Sequence, residues 1–265
     1  MILVFTDLDG TLLDHHTYDW RPAKPALDQL SSLGAVVVFV SSKTRIEMEY
    51  WRRITGNTGP FISENGAALC YPDGSIQPLG LPHAEIRPRL LEAAARAACR
   101  IRGFSDMSAD EIGALTGLGP EHAALAKQRE FSEPFVLESE AREAALIEEM
   151  AKAGLRHTVG GRFHHAFAHE GKGAAVRAMI RQFESQHAEI VTIGLGDAPN
   201  DASFLELVHC PIVVRSAKSE SLLKKVPRAI ATNSAAPGGW NEGIKMALRS
   251  IGKRSLQAGP THPGR

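Results

Sequence analysis

Four aspartates in two short strings are the residues of this chain best suited to chemistry. Asp7 and Asp9 stand in Phe5-Thr6-Asp7-Leu8-Asp9-Gly10-Thr11-Leu12-Leu13, and Asp197 and Asp201 in Gly194-Leu195-Gly196-Asp197-Ala198-Pro199-Asn200-Asp201. Each string follows a short apolar run, Ile2–Thr6 or Ile190–Ile193, that reads as a buried strand. Both acid pairs therefore fall at carboxyl ends of strands, where open parallel sheets bind ligands. Carboxylates gathered there repel one another and call for a cation or a shared proton. An all-oxygen donor set suits Mg²⁺. The Gly-x-Gly before Asp197 is not a dinucleotide loop, because Pro199 replaces the third glycine and no acid follows at the ribose distance.

Two further strings fall at equivalent places. Ser41-Ser42-Lys43-Thr44-Arg45 follows the apolar run Ala35–Val40, so hydroxyls and helix N-terminal amides form a candidate anion site. Lys172, between Gly171 and Gly173, opens a later helix; Ala166 and Gly173 exclude a Walker A loop.

The elements around these strings alternate. Pro22 to Leu33 is expected to be a helix burying Leu27, Leu30 and Leu33, with Gly34 closing it. Thr44 to Thr55 is a second helix and Phe61–Ser63 a third strand. The pattern resumes with helix Gly173–Phe183, helix Ala202–Val208, strand Pro211–Val214 and helix Gly239–Ile251. Strand–helix–strand order of this kind predicts an α/β fold with a parallel sheet. Between about 79 and 168 the pattern shifts to Ala- and Glu-rich helices with antiparallel strand candidates. Ser108 and Glu111 form a capping box there, and Thr158 to His164 reads as a hairpin turning on Gly160-Gly161. The expected organisation is a core of 1–78 with 169–256, an α+β insertion of 79–168, and a loose tail of 257–265.

The order of the motifs carries more than any one of them. Asp-x-Asp at the first strand tip, Ser41 at the second, lone Lys172, then Asp197 and Asp201 resemble the haloacid dehalogenase (HAD) superfamily. Within it the chain resembles the mannosyl-3-phosphoglycerate phosphatase family. The residues that carry this are Val4 to Asp9, Ser41 to Arg45, Ile62-Ser63-Glu64-Asn65-Gly66, Ala126 to Phe131 with Glu133-Pro134-Phe135, and Gly160 to His164. Ala198 departs from the Ser expected in many relatives.

The resemblance implies a Rossmannoid HAD-like core with a type IIB cap at 79–168, and a Mg²⁺-dependent phosphoric monoester hydrolase. Asp7 would be the nucleophile, Asp9 the general acid and base, and Lys172 a catalytic cation. The metal would take the side chains of Asp7 and Asp197 and the backbone carbonyl of Asp9, with Asp201 behind them. Phosphate would meet Gly10, Ser41, Ser42, Lys172 and Asn200. The remainder of a phosphorylated glycosyl glycerate would meet Lys43, Glu64, Asn65, Gly66, Arg129, Arg162 and His164, and a cap arginine would pair with its carboxylate. A sugar phosphomutase on the same fold and a non-catalytic phospho-ligand binder are the competing readings.

Composition agrees with a globular enzyme. Lys and Arg number 30 against 30 Asp and Glu in 265 residues, which excludes a strongly basic nucleic-acid binder. No apolar run is long enough for a membrane span and no signal segment is visible. Cys70, Cys99 and Cys210, odd in number and far apart, fit buried thiols in a reducing compartment. A cytoplasmic monomer or weak homodimer is expected. His157, His164, His165 and His169 cluster in sequence, yet zinc is not expected, since His164 and His165 face opposite sides of a strand and no Cys or carboxylate completes a set. Lys224-Lys225 and Lys253-Arg254 read as solvated faces.

Overall fold

The structure, a computed structural model, describes residues 1–160 and 163–257. Its strands in chain order are β1 (Ile2–Thr6), β2 (Val36–Val40), β3 (Phe61–Ser63), β4 (Ala68–Cys70), β5 (Ile76–Pro78) and β6 (Ile101–Gly103). There follow β7 (Ser132–Leu137), β8 (Arg156–Gly160), β9 (Phe163–Phe167), β10 (Val191–Gly196), β11 (Cys210–Arg215) and β12 (Ile230–Ala235). The chain divides into two compact units, Met1–Val37 with Gln186–Arg265, and Val38–Ser185.

In the first unit the strands run β12-β11-β10-β1 with every neighbouring pair parallel. Helices on the sheet bury it from both sides, so its strands are apolar throughout: Leu3, Val4, Phe5, Ile193, Leu195 and Ile212 to Val214 are all buried. Burying each such side chain contributes roughly 1.5–3 kcal/mol. Gly194 and Gly196 lie inside β10 rather than in a phosphate loop. A Cβ on Gly194 would meet Val208 Cγ2 at 2.8 Å and Leu205 Cδ2 at 3.0 Å, so this glycine admits the segment that follows the strand.

The early helix occupies Lys24–Ser32 behind a 3-10 turn at Arg21–Ala23. Its buried face is Ala23, Ala26 and Leu30, whereas Leu33 is 54% exposed. The periodicity placed Leu33 on that face, but the helix ends one residue earlier, and Gly34 at φ 64° turns the chain away. The last helix runs Gly238–Gln257, six residues beyond its expected end, so the expected tail begins within it; 258–265 lie outside the described residues.

The second unit holds the whole of 79–168 together with 38–78 and 169–185. β2 and β3 are parallel, and β4 and β5 add antiparallel. A separate antiparallel sheet runs β6-β7-β9-β8. One of its faces carries Phe135 and Ala166 against helices His83–Arg96 and Glu143–Lys152 through Ile86, Leu90, Leu146 and Met150. Phe163 packs in a second cluster with Phe104, with Ile112 of helix Ala109–Thr116 and with Ala123 of helix Pro120–Ala126. The Ser108–Glu111 capping box is present. β8 and β9 form the expected hairpin, but Gly160 is still paired, with Phe163, so it belongs to the strand and not to the turn. Among the described residues no helix is long and apolar enough to cross a membrane.

Candidate active site

In the first unit the parallel register places both acid strings at one sheet edge. Thr6 lies beside Leu195, and the Asp7 N–H donates to the Leu195 carbonyl at 3.0 Å, so Asp7 leaves β1 next to the end of β10. Asp7, Asp197 and Asp201 are all buried, and one carboxylate oxygen from each lies within 4.8 Å of the others. Asp201 braces its neighbour: its Oδ2 accepts the N–H groups of Asp197 (3.1 Å) and Ala198 (3.2 Å). This requires Gly196, since a Cβ there would meet Asp201 Oδ2 at 2.7 Å. Thr11 Oγ1 donates to Asp197 Oδ1 at 3.2 Å, and Ser216 Oγ to the Asp197 carbonyl at 2.8 Å. Trp240, fully buried, donates through Nε1 to Thr6 Oγ1 at 2.9 Å and so fixes the residue before Asp7.

Gly10 adopts φ 76°, and a Cβ there would stand 2.9 Å from Asp197 Oδ2. Asp9 is half-buried beside it and Asn200 is exposed. Three buried carboxylates so close together are costly in free energy unless a cation joins them. Their oxygen-only donors fit a hard divalent ion.

In the second unit Ser41 follows β2 and Glu64-Asn65-Gly66 follow β3. Ser41 N–H donates to Ile62 O at 3.1 Å, and Asn65 N–H to Ser41 O at 2.8 Å. Ser41, Lys43 and Asn65 are buried, and Ser42 is half-buried. Thr44 starts the helix Arg45–Thr55, and two of the N–H groups at this end are taken up by a capping box. Thr44 Oγ1 accepts the Glu47 N–H and Glu47 Oε2 accepts the Thr44 N–H at 2.8 Å, so the helix is capped by its own buried carboxylate. Lys43 Nζ lies 3.9 Å from that carboxylate. Lys172 is the first residue of the helix Lys172–Glu184 and is buried. Gly66, at φ 107°, touches the chain just before it: a Cβ on Gly66 would stand 2.4 Å from Gly171 O and 2.9 Å from the Lys172 nitrogen.

Glu64 has a different place from the one expected. Its fully buried carboxylate accepts Glu130 N–H (2.8 Å), Phe131 N–H (3.2 Å) and Ser132 Oγ (2.6 Å), and pairs with Arg129 Nε at 3.3 Å. Three of these four contacts fall on Oε2, and Glu130 N–H holds Oε1. Arg129 also donates to Ser42 O at 2.9 Å and Ser132 Oγ at 2.8 Å. Glu64 and Arg129 thus tie the β3 tip and the Ser42 loop to segment 129–132, where the sequence had suggested substrate contacts. Replacing Glu64 with Ala is expected to cost about 3–5 kcal/mol, because it strands a buried guanidinium. In a denaturant titration the Glu64→Ala, Arg129→Ala double variant should lose clearly less than the sum of the single losses; full additivity would show that the pair does not act as one clamp.

His164 also differs from expectation. It stacks on Phe135, on the helix-covered face of the sheet, at 5.4 Å between ring centres. Its neighbour His165 takes the opposite face, and Arg162 lies outside the described residues. Burial, reinforced by the charge of Arg129, pushes the His165 pKa down to about 3, and burial pushes His169 down to about 4. Both are neutral in the fold and protonate in the unfolded chain near 6.5. Their contribution is complete above that pH and shrinks as pH falls towards about 4, by about 1.4 kcal/mol per pH unit for each histidine. Urea midpoints measured over this range should fall with pH, and His165→Phe should flatten the slope; an unchanged slope would contradict a buried neutral imidazole.

Comparison with known proteins agrees with this geometry. Residues 4–102 match the haloacid dehalogenase-like hydrolase family. A glucosyl-3-phosphoglycerate/mannosyl-3-phosphoglycerate phosphatase from Persephonella marina is 37% identical over 94% of this chain and 98% of its own. One from Methanococcoides burtonii is 36% identical over 96% and 98%. The chain belongs to the mannosyl-3-phosphoglycerate phosphatase family of haloacid dehalogenase-like hydrolases. A solved haloacid dehalogenase-like hydrolase from Bacteroides thetaiotaomicron shares the fold of this family member at a TM-score of 0.67, with 14% identity over 94% of this chain and 98% of that one. Another from B. subtilis does so at 0.67, with 16% identity over 95% and 100%.

The family's Asp-x-Asp-Gly-Thr string accounts for Thr11, whose hydroxyl holds Asp197. The roles of Trp240 and Ser216 had no local signal, because each acts across the sequence on a residue that is distant in the chain.

Proposed function

We propose that this protein hydrolyses a glycosyl-3-phosphoglycerate, with a mannosyl or glucosyl head, to the glycosylglycerate and phosphate. The observation that carries it is the buried trio Asp7, Asp197 and Asp201 at one edge of a parallel sheet, in a chain matched nearly end to end by phosphatases of these esters. Asp7 attacks phosphorus in line, forming an aspartyl-phosphate and releasing the glycerate oxygen. Asp9 protonates that oxygen and then takes a proton from the water that cleaves the aspartyl-phosphate. Ser41, Ser42, Gly10 and Asn200 hold phosphoryl oxygens, and Lys172 neutralises charge on them.

Mg²⁺ is the cation proposed. Asp7, Asp197 and the Asp9 carbonyl would hold it, and when bound it offsets phosphoryl charge. Asp201 keeps Asp197 turned toward it. Residues 79–168 serve as the cap that selects the ester, since the core groups recognise only phosphoryl and metal. With Arg129 paired to Glu64, our candidates for the glycerate carboxylate are Arg162, Lys43 and Asn65. Three buried thiols, none in a disulfide, support a cytoplasmic location, and we expect a monomer or weak homodimer.

The test is phosphate release from mannosyl- and glucosyl-3-phosphoglycerate with Mg²⁺, set against hexose phosphates. Activity should vanish with chelator. Ca²⁺ should inhibit, because its larger, more flexible shell favours bidentate carboxylates and draws Asp7 away from attack. Full activity in excess EDTA would overturn the site. Isomerised hexose phosphate without free phosphate would favour a mutase.

A further inference from the structure

We propose that Glu143, His157 and His164 form a second metal site, within 79–168, that binds zinc. It is independent of the Asp7 site and of the ester the enzyme hydrolyses. The three residues come from three elements: Glu143 begins the helix Glu143–Lys152, His157 lies on β8 and His164 on β9. One ligand atom from each falls within 4.8 Å of the other two. His157 Nε2 and His164 Nδ1 are 2.8 Å apart, and His164 Nδ1 is 3.7 Å from Glu143 Oε1. Four-coordinate zinc with bonds of about 2.0–2.2 Å spaces its ligands roughly 3.3–3.5 Å apart. Both separations lie within several tenths of an ångström of that value.

No carboxylate stands near these histidines in the sequence to complete a set. Folding supplies one, because the helix Glu143–Lys152 packs over the face of β7 and β9 that holds Phe135 and His164.

The site is held ready. His164 is stacked between Phe135 at 5.4 Å and His157 at 5.0 Å, which limits rotation of its ring. Burial, with the neighbouring His164, lowers the His157 pKa, and the neutral imidazole is the form that ligates a metal. All three residues are only partly buried, leaving a path for the ion and for a water as fourth ligand. Donor chemistry separates the two sites. Two imidazoles and one carboxylate favour zinc and other late first-row ions, whereas the Asp7 trio offers oxygen alone and suits Mg²⁺. Zinc here would brace the β8–β9 hairpin against its helix.

The experiment is equilibrium dialysis of the metal-stripped, full-length protein with Zn²⁺ in a large excess of Mg²⁺, read by elemental analysis. Co²⁺ absorption reports the ligand set. The wild type should retain one zinc per chain, and an Asp7→Asn variant should retain it too. His157→Ala and His164→Ala should each weaken binding by more than the roughly 10–100-fold typical of losing an outer-shell partner. Glu143→Gln, a change near the surface at a helix start, serves as the variant that keeps the fold and should weaken binding in the same direction. Zinc lost in Asp7→Asn but kept in His157→Ala and Glu143→Gln would overturn the proposal. So would no zinc retained above the Mg²⁺ background. Neither result depends on which phosphate ester the enzyme cleaves.

Discussion

Asp7→Asn is expected to reduce phosphate release to below about 1% of wild type while leaving the fold intact. Asparagine matches aspartate in shape, and the backbone bond from residue 7 to Leu195 does not involve the side chain. What disappears is the nucleophilic oxygen, for which an amide is no substitute. Stability should hold or rise in the absence of metal, because one of three crowded, buried carboxylates has been neutralised. The checks are phosphate release on the glycosyl-3-phosphoglycerates and thermal melting in chelator. Activity above that level in a melting-competent variant would sink the covalent mechanism. A melting point that drops sharply would instead mean that the Asp7 charge is needed to hold the sheet edge together.

Gly66→Ala is expected to cost about 10²-fold in kcat. The added methyl has no rotamer by which to escape, since it would lie 2.4 Å from Gly171 O and 2.5 Å from Gly171 C, both backbone atoms. The φ of 107° is itself unfavourable for alanine. One segment must shift, and the one displaced carries the buried Lys172 at the start of its helix. Gly56→Ala provides the control, because Gly56 has φ 70° but nothing within 4 Å of its Cβ position. It should cost about 1–2 kcal/mol of stability with kcat unchanged. Equal effects of the two substitutions on kcat would mean that strain at positive φ, and not displacement of Lys172, governs the result.

The candidate strings were legible because each is local. Asp7 to Thr11, Ser41 to Arg45 and Gly194 to Asp201 each follow an apolar run, and a run too short for a helix and uniformly apolar has to be a buried strand. Strand tips then placed the acids without any knowledge of packing. The capping box at Ser108 and Glu111 was readable for the same reason, since both partners lie within one turn.

Contacts between distant residues were not legible. Glu64 and Arg129 stood in family-like strings and were read as ligand contacts, but they pair with each other 65 positions apart and both bond to Ser132. Glu47, on the helix after Ser41 to Thr44, takes up the Thr44 N–H that starts it.

The amino-acid sequence by itself determined the α/β alternation, the acids at the strand tips and the family, because short-range periodicity and motif spacing survive without a fold. Tertiary structure decided which buried charges gather together and which are paired inside the protein. That outcome depends on burial and on partners brought in from elsewhere in the chain, as Glu143 is brought to His157 and His164, and desolvation leaves no buried charge without them.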